Sequence, residues 1–162
     1  FGFFVILFLY NAYSVSETLS GQVLGTEGLK AIQWVNSNTE PTDRFLILDE
    51  QGNPLLSPLT EWFPALAERR SIATIQGAEW LKGDRHYNEQ YSIITSLHEC
   101  LYKDAECLYD LQSSSMDEYN FIIISSQNPV PLLHSLENRK GFKQVYSSST
   151  VKIFQIVQQE SQ

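Results

Sequence analysis

The sequence is short of positive charge. Eleven Lys and Arg residues stand against nineteen Asp and Glu, which leaves a net charge of −8 at pH 7. Nucleic acids and anionic lipid headgroups both require clustered Lys and Arg on a protein surface. The only adjacent basic pairs are Arg69-Arg70 and Arg139-Lys140, and neither belongs to a basic stripe. We therefore expect no nucleic-acid partner.

Motifs of several enzyme classes are also missing. Residues 49–54, DEQGNP, lack the second and third glycines of a dinucleotide-binding turn. The sequence contains neither a phosphate-binding loop nor a Gly-x-Ser-x-Gly nucleophile turn. His86, His98 and His134 do not have the spacing of a metal pair, so we expect solvated or hydrogen-bonded helix histidines. We therefore predict no metal, no cofactor and no complete catalytic centre.

The first ten residues, FGFFVILFLY, form the longest apolar run of the N-terminal region. Ten residues are too few to span a bilayer. The run also fits a secretory signal peptide badly, because it is not preceded by the Met and basic segment that such a peptide has. We expect residues 1–13 to be the end of a transmembrane helix and residues 14–26 to be a linker. The alternative is a buried helix or strand of the same domain. No Lys or Arg precedes Lys30, which favours an extracytoplasmic position for this flank.

Two cysteines, Cys100 and Cys107, lie seven residues apart. In an oxidising compartment they could form a local disulfide if a helix ends between them. They could equally be two buried thiols on one helix face, because positions seven apart also stack. The sequence leaves both interpretations open.

Helices alternate with short apolar strands in the rest of the chain. The runs at residues 44–49 (RFLILD), 71–75 (SIATI) and 119–125 (YNFIIIS) predict buried strands. Helices are predicted at residues 27–38, with Thr26 as N-cap, and at 61–69, 87–102 and 129–138, with a loop or single turn at 79–84 and an added turn at 107–112. Residues 144–147 and 151–157 predict an antiparallel hairpin.

This order of elements predicts an α/β fold. We expect residues 27–157 to form a three-layer sandwich with a mostly parallel, Rossmann-like sheet of about five strands and an antiparallel C-terminal hairpin. Residues 158–162 are expected to form a polar tail.

One stretch, residues 61–80 (EWFPALAERRSIATIQGAEW), has an unusual composition. Aromatic faces stack on sugars, and Arg binds phosphate or carboxylate through two parallel hydrogen bonds. Trp62, Arg69, Glu79 and Trp80 could therefore form a sugar or lipid-phosphate surface. In the alternative, both Trp residues pack over the core and Arg69 pairs with a neighbouring Glu.

The order of these segments, with the motif W-F-P-A-L-x-x-R-R-S-x-A-T-x-Q-G-x-E-W as its most specific part, resembles the soluble extracytoplasmic domain of bacterial multi-pass GT-C-type glycosyltransferases. The resemblance covers about residues 27–157. It implies a parent enzyme that moves a sugar from a polyprenyl-phosphate donor to a lipid or protein acceptor, with its catalytic acidic residues in the membrane portion.

The resemblance therefore implies an accessory domain that is not catalytic alone and lies on the extracytoplasmic side of the cell membrane. Its partners would be the transmembrane portion of the same polypeptide, the membrane through its N-terminal segment, and a polyprenyl-phosphate sugar or glycan acceptor. The residues that would face the membrane-side cleft are Trp62, Arg69, Arg70, Gln76, Glu79 and Trp80. The alternatives are a non-enzymatic α/β binding module of a membrane protein and a free-standing doubly wound enzyme.

Overall fold

The computed structural model describes residues 23–51, 53–74, 78–115 and 118–157. In chain order the elements are α1 (Thr26–Asn38), β1 (Arg44–Asp49), α2 (Pro58–Ala67), β2 (Arg70–Ser71), α3 (Ala78–Glu99), α4 (Glu106–Ser115), β3 (Phe121–Ser125), α5 (Pro131–Glu137), β4 (Phe142–Ser147) and β5 (Val151–Ile156). Short 3-10 turns lie at Pro54–Leu56 and Cys100–Tyr102. The predicted transmembrane end at residues 1–13, most of the linker and the polar tail lie outside the described residues.

The five strands form one mixed sheet with the order β2-β1-β3-β5-β4. β1 pairs in parallel with β2 and β3, whereas β5 pairs antiparallel with both β3 and β4. Four strands therefore run in one direction and β5 runs against them. The predicted α/β class, the strand number and the antiparallel C-terminal hairpin are confirmed.

The two central strands are buried on both faces, as their apolar sequences predict. Side chains alternate between the faces of a strand. On one face, Phe45, Ile47 and Ile123 pack with α1 and α2. On the other, Leu46, Leu48 and Ile124 pack with residues of α3, α4 and α5. We call these the α1–α2 face and the α3–α5 face.

The helix boundaries on the α1–α2 face differ from the prediction. The N-cap of α1 is Gly25, and Thr26 is already the first helical residue, without a side-chain cap. Helix α2 begins at Pro58 because the Ser57 hydroxyl accepts a hydrogen bond from the Thr60 N–H at 3.2 Å. It ends at Ala67, before Glu68 in the left-handed region with φ of 51°. Its predicted range, 61–69, was therefore too late at both ends.

The second predicted strand, at residues 71–75, is shorter in the structure. It pairs only at Arg70–Ser71, and the Ile72 N–H then donates a last hydrogen bond to the Phe45 carbonyl. The Thr74 hydroxyl donates to the Thr60 carbonyl at 2.9 Å, so the chain leaves β1 for α2. Ile75 lies outside the described residues.

On the α3–α5 face, the predicted loop at residues 79–84 is wrong, because α3 runs without interruption through Ala78–Glu99. A glycine inside a helix costs only about 1 kcal/mol, so Gly83 did not end it. Likewise α4 spans Glu106–Ser115 instead of one added turn. None of the helices in the described part of the chain is both long and apolar enough to cross a membrane.

Candidate functional site

The sheet changes its winding direction between β1 and β3. From β1 the chain passes to β2 on one side and then to β3 on the other. In open α/β sheets, ligands bind beyond the carboxyl ends of the strands at such a point. A cavity of about 340 Å³ lies here. Its lining residues, which we call the switch-point crevice, are Asp49, Glu50, Gln51, Ser125, Ser126, Gln127, Asn128 and Thr150.

Glu50 ties the two sides of the crevice together. Its carboxylate accepts hydrogen bonds from the Ser126 hydroxyl at 2.7 Å, the Gln127 N–H at 2.9 Å and the Asn128 side-chain amide at 3.0 Å. These bonds lower the pKa of Glu50 to about 2, and the bonds from Asn128 and Ser126 have the largest effects. The carboxylate is therefore ionised at neutral pH and is held by the chain's own loop.

Asp49 joins the end of β1 to the start of α2. Its side chain is buried, with one oxygen accepting from the Ser57 hydroxyl at 2.9 Å and the other from the Gln51 N–H at 3.0 Å. Because Ser57 also caps α2, the same hydroxyl connects a strand end to a helix start. Asp49 lies at the carboxyl edge of the sheet, where a doubly wound fold binds its ligand, but these bonds give it a structural position.

His98, on α3, contacts the same strand end from the α3–α5 face. Its Nδ1 lies 3.1 Å from the Asp49 carbonyl oxygen, and its Nε2 is buried without a hydrogen-bond partner among the described residues. Burial lowers the pKa of His98, which favours the neutral ring. The prediction of a solvated or hydrogen-bonded histidine is therefore wrong in part for His98. Its ring is buried, and only one of its two nitrogens has a hydrogen-bond partner among the described residues.

The crevice is unsuited to phosphate and to acid–base chemistry near neutral pH. Its lining residues include two acids and no Lys or Arg, so an anion would be repelled. A general base works best with a pKa near the working pH, and Glu50 is far below it. Among the described residues, no group of three or more His, Cys, Asp and Glu is placed to hold a metal ion.

The structure places Trp62, Arg69 and Arg70, three of the six predicted ligand residues, away from this crevice. Trp62 is 48% exposed on the outer side of α2. Arg69 donates to the Thr39 carbonyl at 2.7 Å and its hydroxyl at 3.2 Å, and to the Ala67 carbonyl at 3.3 Å. It therefore ties the end of α2 to the end of α1.

Arg70 lies at the amino edge of the sheet, because it pairs with Arg44, the first residue of β1. Asp49 is five residues further along β1, which corresponds to about 16 Å. Gln76 lies outside the described residues, and Glu79 and Trp80 are described only by their place in the first turn of α3. The described members of the predicted cluster are thus one exposed indole and two arginines near the opposite edge.

No protein-family model, curated protein or solved structure matches this chain.

A disulfide joins Cys100 to Cys107, with their Cα atoms 5.6 Å apart. It connects the 3-10 turn after α3 to α4, which matches the helix break that a local disulfide requires. Cys100 is fully buried. Such bonds persist in oxidising compartments and are rare in the cytosol of most organisms.

Sequence reasoning missed the second wall of the crevice. Residues 126–129, SQNP, follow the third buried strand and are as typical of a turn as DEQGNP after the first. Parallel strands end at the same edge of a sheet, so this second turn cluster was the signal that could have found it.

Proposed function

We propose that this chain is an extracytoplasmic accessory domain of an integral-membrane GT-C-type glycosyltransferase. It helps to shape the binding of acceptor or donor and is not catalytic alone. The motif at residues 62–80 supports this proposal through the resemblance, and the Cys100–Cys107 disulfide supports an oxidising compartment.

The observation that carries the proposal is the state of the switch-point crevice. In a free-standing enzyme of this topology, the carboxyl ends of β1 and β3 would hold the ligand. Here Glu50 accepts hydrogen bonds from three residues of the opposite wall, and buried Asp49 is bonded to Ser57 and Gln51. The groups that could act on a substrate instead hold the fold together, which supports an accessory role.

The proposal also includes the layer arrangement of the domain. We interpret the sheet, with helices packed on both faces, as a three-layer sandwich of the Rossmann-like kind, closed by the antiparallel pair β4 and β5. Residues 1–13 would continue into the transmembrane portion of the same polypeptide. The predicted linker, shortened to residues 14–25 because α1 begins at Thr26, would join it to the domain.

A non-enzymatic binding or interaction module of a membrane protein is the second candidate. The crevice favours it to the same degree, because it offers hydroxyl and amide groups but no poised acid or base. The two candidates differ in whether the complete membrane protein transfers a sugar.

The test compares this chain with the complete protein in detergent or nanodiscs, using radiolabelled polyprenyl-phosphate hexoses as donors. We expect no sugar release by this chain and measurable release by the complete protein. Release by this chain alone would overturn the accessory role. If the complete protein also left every donor intact, the binding module would replace the glycosyltransferase.

A further inference from the structure

Three large apolar side chains are exposed on the adjacent helices α1 and α2. Leu29 is 42% exposed, Trp62 is 48% exposed and Leu66 is 40% exposed. The two helices lie side by side, since the Asn36 side-chain amide donates to the Leu66 carbonyl at 2.9 Å. We call these three residues the apolar ridge. The core does not include these side chains. Helix α2 packs into the core through other residues, Leu59, Phe63 and Ala67.

The charges of the two ridge helices nearly cancel, whereas those of the groove on the opposite face do not. In the two helices and the three residues after each, Glu27, Glu40, Glu61 and Glu68 stand against Lys30, Arg69 and Arg70, which leaves a charge of −1. On the α3–α5 face, a groove of about 600 Å³ is lined by Glu99, Asp104, Glu106 and Asp110 with one cation, Lys103. A low-dielectric surface therefore meets less unfavourable charge on the ridge side.

The apolar segment of the sequence is tethered to the helix that carries part of the ridge. The described chain begins at Val23, which is 69% exposed and lies three residues before α1. Twelve residues, 11–22, separate it from the apolar run at residues 1–10. Even fully extended, they reach no more than about 40 Å. A bilayer that accepts the run therefore lies within reach of α1.

We propose that the apolar ridge rests on the lipid–water interface of that bilayer. The inference depends on the proposed function, which assigns residues 1–13 to a membrane-spanning helix. Trp is the side chain most suited to such a boundary, because its ring is apolar and its N–H is polar. With a net charge of −8 and no basic stripe, the surface fits zwitterionic rather than anionic lipid.

The test uses the intact 162-residue chain bound to phosphatidylcholine vesicles that contain brominated lipid, a short-range quencher of Trp fluorescence. We expect the brominated lipid to quench the wild-type chain and the substitution Trp62→Phe to remove most of that quenching. The matched control is Trp34→Phe, because Trp34 is half-buried against Tyr146, with ring centroids 5.7 Å apart. This control should keep the quenching that Trp62 causes.

Three results would contradict the proposal that the apolar ridge rests on the bilayer. These are equal quenching with and without Trp62, no association of the chain with vesicles, or a Trp62 that is already shielded from aqueous acrylamide without lipid. The last would mean that residues 1–10 or a second copy covers the ridge. If the complete protein transferred sugar but the chain showed no quenching, only the membrane contact of the ridge would be wrong. If the chain showed quenching but the complete protein transferred no sugar, only the glycosyltransferase proposal would be wrong.

Discussion

The two faces of the sheet are closed by different means. On the α1–α2 face, aromatic rings form the centre of the core: Phe45 stacks on Phe121 with centroids 5.0 Å apart, and Phe63 tilts against Phe45 at the same distance. On the α3–α5 face, the core is mostly aliphatic, and the Cys100–Cys107 disulfide fixes the junction of two helices.

The α1–α2 face is therefore stabilised by side-chain packing, whereas the α3–α5 face is also stabilised by a covalent bond. The α1–α2 face depends on the fit of a few large side chains, because its disulfide-free helices are held only by packing and by bonds such as those of Arg69. The α3–α5 face contains a break between helices that a covalent bond spans, and the groove on this face presents several acidic residues to solvent. The apolar ridge and the acidic groove lie on opposite faces.

The comparison is tested most strongly by removing an aromatic ring. Phe63→Ala should lower the free energy of unfolding by about 3–5 kcal/mol, because the fully buried ring leaves a cavity against Phe45. Chemical denaturation followed by far-UV circular dichroism measures the loss.

Trp62→Ala is the matched control, since Trp62 directly precedes Phe63 in α2 but is exposed. It should change the free energy of unfolding by less than about 1 kcal/mol in the absence of lipid. If both substitutions destabilised the chain equally, Trp62 would be part of a core, and the comparison of an aromatic interior with an apolar exterior would be wrong.

The second prediction addresses the covalent restraint. Replacing both cysteines, Cys100→Ala with Cys107→Ala, should lower the free energy of unfolding by about 2–3 kcal/mol, because the disulfide closes a short loop of the unfolded chain. A reducing agent should destabilise the wild-type chain similarly and leave the double variant unchanged. Equal stability of the double variant and the oxidised wild type would show that packing alone closes this face.

Much of the fold was predictable from apolar patterns. The continuous runs at β1 and β3 and the alternating pattern of β4 and β5 determine burial directly, so the central strands and the hairpin were found. The start of α2 was missed although Ser57 and Pro58 are a local signal for a helix start. The length of α3 was missed because a glycine such as Gly83 costs a helix only about 1 kcal/mol and did not interrupt it.

The candidate site was harder to predict for a related reason. Asp49 and Glu50 could be placed at the carboxyl edge, but the partners of Glu50 lie 76 to 78 residues further along the chain. Arg69 has the composition of a ligand residue, yet the end of α1 satisfies it with the carbonyl of Thr39. A single sequence shows which residues could bind, but not which partners the fold supplies.

The smallest predicted effect concerns the switch-point crevice, where the two faces meet at the end of β1. The pKa of Glu50 falls from 4.5 to about 2 in the folded state. Its contribution to stability is therefore complete above the unfolded value and is lost as the pH falls from about 4.5 towards 2. Glu50→Gln should lower the melting temperature slightly at pH 7, and the difference from wild type should shrink towards pH 2. Glu40→Gln, at an exposed glutamate before β1, controls for the loss of one negative charge. A Glu50→Gln difference that stayed constant from pH 7 to pH 2 would mean that shape, and not the ionised carboxylate, joins the walls of the crevice.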